Sequence, residues 1–162
     1  MTISVGERIP NTRFQIMKEK GPRYMTTNEL LKGKKVVIFG LPGAFTPTCN
    51  AAHLPGFVAR LDELFAVGVD VVACHSVNDV HVMNAWQQAQ NAERIVMMAD
   101  GNGEFARNIG TEVDRSENCF GKRSARYAMI VEDCTVTLMN REEPLQFEVS
   151  DADTILAALK NT

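Results

Sequence analysis

Cys49 closes the run Gly40-Leu41-Pro42-Gly43-Ala44-Phe45-Thr46-Pro47-Thr48-Cys49, and its neighbours favour a reactive thiol. The preceding Val36-Val37-Ile38-Phe39 is continuously apolar, as in a strand buried on both faces. An apolar pattern of helical period begins after the cysteine. Thr46 suits the capping of free amides and Pro47 the first helical position, so a helix is expected to start there. Cys49 then lies in the first turn, where unpaired N–H groups and the positive end of the helix dipole favour thiolate over thiol. Attack by sulfur is the chemistry such a position suits. Thr-Pro-x-Cys alone also fits a small buried cysteine beside an ordinary cap. Partners must decide.

Arg126 is the second informative residue. Ser124 to Val131 reads as one strand in which Arg126 shares a face with Ala128 and Ile130, and so points inward. A guanidinium drawn inside is costly unless an anion meets it, and a thiolate or an oxygen gaining negative charge would do so. Alternatively, Arg126 lies on an edge strand and reaches solvent or a carboxylate. Arg123, at the mouth of that strand, is the weaker candidate. His53 lies four residues after Cys49, which raises a Cys–His nucleophile pair of the thiol-hydrolase kind. No third group is identifiable to orient the imidazole, and Pro55 disturbs the helix there, so His53 reads as a supporting residue. His75 and His81 receive no role.

These residues need elements to hold them. Arg13 to Met17 and Arg23 to Thr26 read as a hairpin about Gly21-Pro22, followed by a brief helix over Glu29-Leu30-Leu31. Leu54, Phe57, Val58, Leu61, Leu64 and Phe65 mark one buried helical face after the cysteine. Pro55 has no N–H to offer Ala51, so a kink or bulge is expected near residues 51–55. Val69 to His75 and Ile95 to Ala99 read as further buried strands, separated by a helix capped at Asn78-Asp79. Strand 124–131 and Cys134 to Met139 are too closely connected for a parallel crossover, so they form an antiparallel hairpin. Asp151 and its neighbours cap a last helix. The alternation predicts an α/β protein with a central mixed β-sheet flanked by helices, an N-terminal hairpin and a thioredoxin-like architecture.

Composition narrows the class. The chain has 162 residues, 45% hydrophobic and 23% charged, which suits a single domain over residues 1–162. A net charge of −3 with no basic face argues against nucleic acid as a partner. No apolar run is long enough to span a membrane, and the first residues lack a signal-peptide core, so a cytoplasmic protein is expected. The cysteines at 49, 74, 119 and 134 show no CxxC and no zinc-site spacing, so no metal or cofactor is expected.

Taken together, the motifs resemble a known family. Pro42-Gly43-Ala44-Phe45-Thr46-Pro47-Thr48-Cys49 matches the Pro-x-x-x-Thr-x-x-Cys motif of the peroxiredoxins. His53-Leu54-Pro55-Gly56-Phe57, Cys74-His75-Ser76-Val77-Asn78-Asp79 and Arg126-Tyr127-Ala128-Met129 are similar to segments of the type II, or atypical, branch. The likeness runs along essentially the whole chain. It implies a thiol-dependent peroxidase acting on hydrogen peroxide and small alkyl hydroperoxides, with Cys49 oxidised to a sulfenic acid. Thr46, Arg126 and the Cys49 backbone N–H are then the expected donors around the reacting oxygens, and Pro42 the shield of the thiolate.

The resemblance leaves the reductant open. A one-cysteine cycle reduced by glutathione or glutaredoxin leads, a thioredoxin-type reductant is the other external candidate, and Cys74 is the intramolecular alternative. Cys134 falls in a tight turn, either as an exposed reactive thiol or as a tolerated substitution. The family commonly pairs subunits, so a homodimer using Phe45 and Phe120 is expected. A redox sensor passing oxidation to a partner protein, and a binding module without catalysis, are the rivals.

Overall fold

A computed structural model describes residues 1–161. β1 (Arg13–Lys18) and β2 (Gly21–Thr26) form the expected hairpin, and Thr26 caps α1 (Thr27–Leu31) through a reciprocal capping box with Glu29. β3 (Lys35–Leu41) leads to the Pro42 loop. Beyond it come α2 (Leu54–Ala66), β4 (Val71–Ser76), α3 (Val80–Ala89), β5 (Val96–Ala99) and α4 (Glu104–Asn108). β6 (Glu112–Asp114), β7 (Lys122–Ser124), β8 (Tyr127–Glu132), β9 (Thr135–Arg141) and α5 (Ala152–Lys160) complete the order.

Seven strands make one sheet in the order β2-β1-β5-β4-β3-β8-β9. β3, β4 and β5 are parallel, while β8 pairs antiparallel with β3 and with β9. The expected mixed α/β architecture is therefore present. Alternation along β3 divides the core in two. Val37, Phe39 and Leu41 pack with α2, α3 and α5, whereas Val36 and Ile38 pack with α1, α4 and β1. Phe39 stacks on Phe57 with ring centroids 4.1 Å apart, which fixes α2 over the strand that delivers the loop.

One expectation needs correction. The strand read over 124–131 is two strands, with Ala125 and Arg126 in the break between them. β7 turns aside to pair with β6 in a separate two-stranded sheet, a pairing that Glu112 to Asp114 gave no periodic sign of. In the β8–β9 turn, Asp133 and Cys134 take φ values of 47° and 70°, the left-handed pair that matches the twist of a tight hairpin. Cys134 is buried there, so the turn does not present an exposed thiol.

Candidate active site

Cys49 is held by a slipped helical register. Pro47 and Thr48 begin the helix, but Cys49–His53 is a π-helical segment in which the Leu54 N–H reaches the Cys49 carbonyl, five residues back. Pro55 explains the slip. Without an N–H it cannot continue the ordinary ladder, and the extra residue per turn accommodates the gap. The expected bulge therefore exists, beginning at the cysteine itself. Trp86 Nε1 and Gln90 Nε2 donate to Asn50 Oδ1 at 2.9 and 2.7 Å, pinning the widened turn to α3. Cys49 faces the core and is fully buried.

Arg126 meets it from just before β8, the strand paired with β3. Its Nη2 donates to Cys49 Sγ at 3.3 Å, and its Nη1 donates to His53 Nδ1 at 2.9 Å. His53 Nε2 lies 3.0 Å from the Ser150 carbonyl, which only accepts, so Nε2 carries the proton and Nδ1 the lone pair. Burial, with the Arg126 charge adding, holds the imidazole down to about 3, so it stays neutral. Both ring nitrogens are engaged. No lone pair remains for a general base, and the Cys–His hydrolase alternative loses its support.

The Pro42 loop is held by Asn78, between β4 and α3, and by Arg123 of β7. Asn78 Oδ1 accepts from the Ala44 N–H at 3.0 Å and from Ser76 Oγ at 2.5 Å. Arg123 donates to the Pro42 carbonyl at 3.2 Å and to the Phe120 carbonyl at 2.9 Å. Arg123 thus fastens the loop and does not enter the thiol's contacts. Thr46 differs from its expected capping role. Its hydroxyl donates to the Gly43 carbonyl at 2.7 Å, closing the turn before the helix.

A cavity of about 780 Å³ opens over this arrangement. Pro42, Thr46 and Arg126 line it together with Phe120, Leu145 and Phe147. It is far roomier than hydrogen peroxide requires. The Phe147 ring packs against His53 at 4.9 Å between centroids and lies 5.7 Å from the Arg126 guanidinium carbon, covering both on the loop side.

The Redoxin family profile matches residues 4–156. Peroxiredoxin-2B of Arabidopsis thaliana is 42% identical over 159 residues, covering 97% of this chain and 98% of that protein. The chain is a peroxiredoxin of the Redoxin family. A solved structure of reduced Prx3 from Vibrio vulnificus in complex with H2O2 is 49% identical, with a TM-score of 0.95 over 98% of this chain and 99% of that one. The Plasmodium falciparum antioxidant protein, a 1-Cys peroxiredoxin, superposes with a TM-score of 0.93 at 28% identity, covering 99% and 100%. The activity is that of a thiol peroxidase, an oxidoreductase using peroxide substrates and thiol reductants.

In this peroxiredoxin the four cysteines are free thiols. Cys74 lies on β4 and is fully buried in the same core cluster as Cys49. Burial, then the Cys49 charge, pushes its thiol well above the ordinary range, which keeps it protonated and a poor nucleophile. Cys119 is exposed. Phe45 is 51% exposed in a left-handed backbone conformation, whereas Phe120 is only partly exposed, with the Arg123 guanidinium over its ring. Sequence reasoning missed Glu142, whose buried carboxylate accepts from the Glu148, Val149 and Ser150 amides and from Ser150 Oγ. An acidic residue at the end of a strand is ordinary in sequence, and only the returning loop gives it this role.

Proposed function

We propose that this peroxiredoxin reduces hydrogen peroxide and small alkyl hydroperoxides through Cys49 in a one-cysteine cycle, with glutathione, alone or with glutaredoxin, as reductant. The 3.3 Å contact between Arg126 Nη2 and Cys49 Sγ carries the assignment of Cys49. The sulfur anion attacks the terminal oxygen of the peroxide in line with the O–O bond. An S–O bond forms, the O–O bond breaks, and the leaving oxygen takes a proton to depart as water or alcohol. Sulfur is oxidised by two electrons and the peroxide is reduced by two. Lowering a thiol's pKa also weakens the thiolate as a nucleophile, so the rate must come from groups that stabilise charge on the oxygens.

Arg126 supplies that charge stabilisation beside the sulfur, and the Cys49 N–H in the first helical turn supplies a second donor. Thr46 enters as an acceptor from the peroxide hydroxyl, since its own single proton is given to Gly43. Pro42, buried in the loop wall, keeps bulk water from the sulfur. The sulfenic acid then condenses with glutathione, losing water, and a second glutathione releases Cys49 as the glutathione disulfide forms. Burial of Cys74, and a thiol held protonated there, favour this external route over an internal disulfide. The cytoplasm is the compartment this cycle suits, and the exposed Phe45 ring offers apolar area for a homodimer contact.

Stoichiometric peroxide followed by intact-mass and peptide analysis, on the native chain and on Cys74→Ser, tests the cycle. A sulfenic acid on Cys49 that converts to a glutathione adduct, then to free thiol with excess glutathione, is the expected result. A prompt Cys49–Cys74 disulfide overturns the one-cysteine route. A stable mixed disulfide with one protein and slow turnover would instead identify a redox relay.

A further inference from the structure

Arg126 belongs to a closed circuit of hydrogen bonds that begins and ends on itself. Its carbonyl accepts from the Glu142 N–H at 2.9 Å. The Glu142 carboxylate gathers three successive amides and the Ser150 hydroxyl, at 2.7 to 2.8 Å. The Ser150 carbonyl, turned inward by that clamp, accepts from His53 Nε2 at 3.0 Å. His53 Nδ1 then accepts from Arg126 Nη1, leaving Nη2 on the sulfur. Arginine is a long side chain with many rotamers, and each fixed contact removes freedom that would move its second nitrogen off Cys49.

We propose that His53 is a positioning residue for the peroxidase reaction, holding the Arg126 guanidinium on Cys49 Sγ, and that Glu142 acts through Ser150 to hold His53. This rests on the peroxidase reading above. The imidazole serves as a neutral acceptor between two fixed donor–acceptor partners, not as a base. The charged groups that face it are Arg126 and Glu142, and Phe39, Phe57 and Phe147 pack around its ring. An acceptor aimed at one guanidinium nitrogen sets the plane of the whole group, so the other nitrogen is aimed as well.

Two variants of the full chain separate positioning from packing. His53→Asn keeps an acceptor where Nδ1 stands and loses the donor to Ser150. His53→Gln keeps a donor toward Ser150 and loses the acceptor for Arg126. Stopped-flow oxidation of Cys49 by hydrogen peroxide is expected to slow by about 100-fold in His53→Gln and far less in His53→Asn. The ultraviolet absorbance of the thiolate is expected to follow the same order. A purely structural histidine would slow both variants alike, in step with their loss of stability, and that outcome overturns the proposal.

Imidazole nitrogen NMR of the native protein tests it without any variant. Protonated Nε2 and an acceptor-type Nδ1, unchanged from neutral to mildly acidic solution, are expected. A ring that titrates in that range, or carries its proton on Nδ1, refutes the assignment. Glu142→Gln is expected to shift both nitrogen signals and slow oxidation, and unchanged signals would remove Glu142 from the circuit. Failure of the native chain to consume peroxide would instead sink the peroxidase reading. A fully active native chain with His53→Gln equally fast sinks only this inference.

Discussion

Tyr127 lies across β3 at Gly40, where an added methyl group would come 2.1 Å from its ring. The bare strand lets the phenol reach His75 on β4, two strands from its own. Burial, then the Asp100 charge, pushes the Tyr127 hydroxyl well above its ordinary range, so it stays protonated and donates to His75 Nδ1 at 2.8 Å. His75 Nε2 in turn donates to Asp100 Oδ2 at 2.8 Å, and Asp100 also accepts from the Phe105 and Ala106 amides of α4. Tyr127 opens β8 directly after Arg126, so this buried chain fixes the register of the strand that the guanidinium-bearing residue leads into. Gly40→Ala is expected to lower stability by about 1–3 kcal/mol through overpacking, measured as a lower midpoint in chemical denaturation. An unchanged midpoint would mean that the ring has room to move.

Arg126→Gln and Arg126→Lys test the charge beside sulfur. Loss of a preorganised donor at a developing anion typically costs about 100- to 1000-fold in rate. Arg126→Gln is expected to slow Cys49 oxidation by that order. Lysine keeps the charge but cannot bond His53 and Cys49 at fixed angles together, so Arg126→Lys should recover only part of the rate. Rapid-mixing kinetics decide, and a Lys variant as fast as the native chain would show that charge alone suffices.

Thr46→Ser and Thr46→Val separate the hydroxyl from its methyl group. The hydroxyl closes the Gly43 turn at 2.7 Å, so Thr46→Val is expected to cost about 1 kcal/mol of stability and to slow peroxide reduction. Thr46→Ser should stay near native in both. Thermal melts and peroxide kinetics on the pair settle it, and a Val variant with native kinetics would place the hydroxyl outside the reaction.

Acid should unfold the protein partly through His53. The folded imidazole is held down to about 3 from an ordinary 6.5, so between those values the unfolded chain binds the extra proton. Stability is therefore complete above about 6.5 and falls as pH drops toward 3, each unit being worth about 1.4 kcal/mol. Glu142 acts in the same direction. Burial raises its carboxyl, but hydrogen bonds from Glu148, Ser150 and Val149 outweigh it and leave the group below its ordinary range. Denaturation midpoints across this window should slope less steeply in His53→Asn than in the native chain. Equal slopes would assign the acid sensitivity to other groups.

Some of this was legible from local chemistry. Pro55 announced a broken ladder because a missing N–H acts within one turn, and the π segment Cys49–His53 is its result. The apolar run before Pro42 announced a doubly buried strand, and β3 packs both core clusters. Thr46 misled because one hydroxyl has several nearby carbonyls and amides to choose from, and turn geometry gave it to Gly43. The break at Ala125-Arg126 misled because β7 is captured by β6, a partner with no pattern of its own.

The sequence by itself pointed to Cys49 as the candidate nucleophile, to most of the strands and helices, and to an arginine drawn toward the interior. Those are consequences of side-chain type and period, which act over a few residues. Tertiary structure alone decided what the buried polar groups do. His53 takes its tautomer from a carbonyl 97 positions away and its acceptor role from a guanidinium 73 positions away, and no local rule reaches so far. Buried hydrogen-bonding groups must find partners wherever the folded chain brings them, so their roles are fixed only when the whole chain has closed around them.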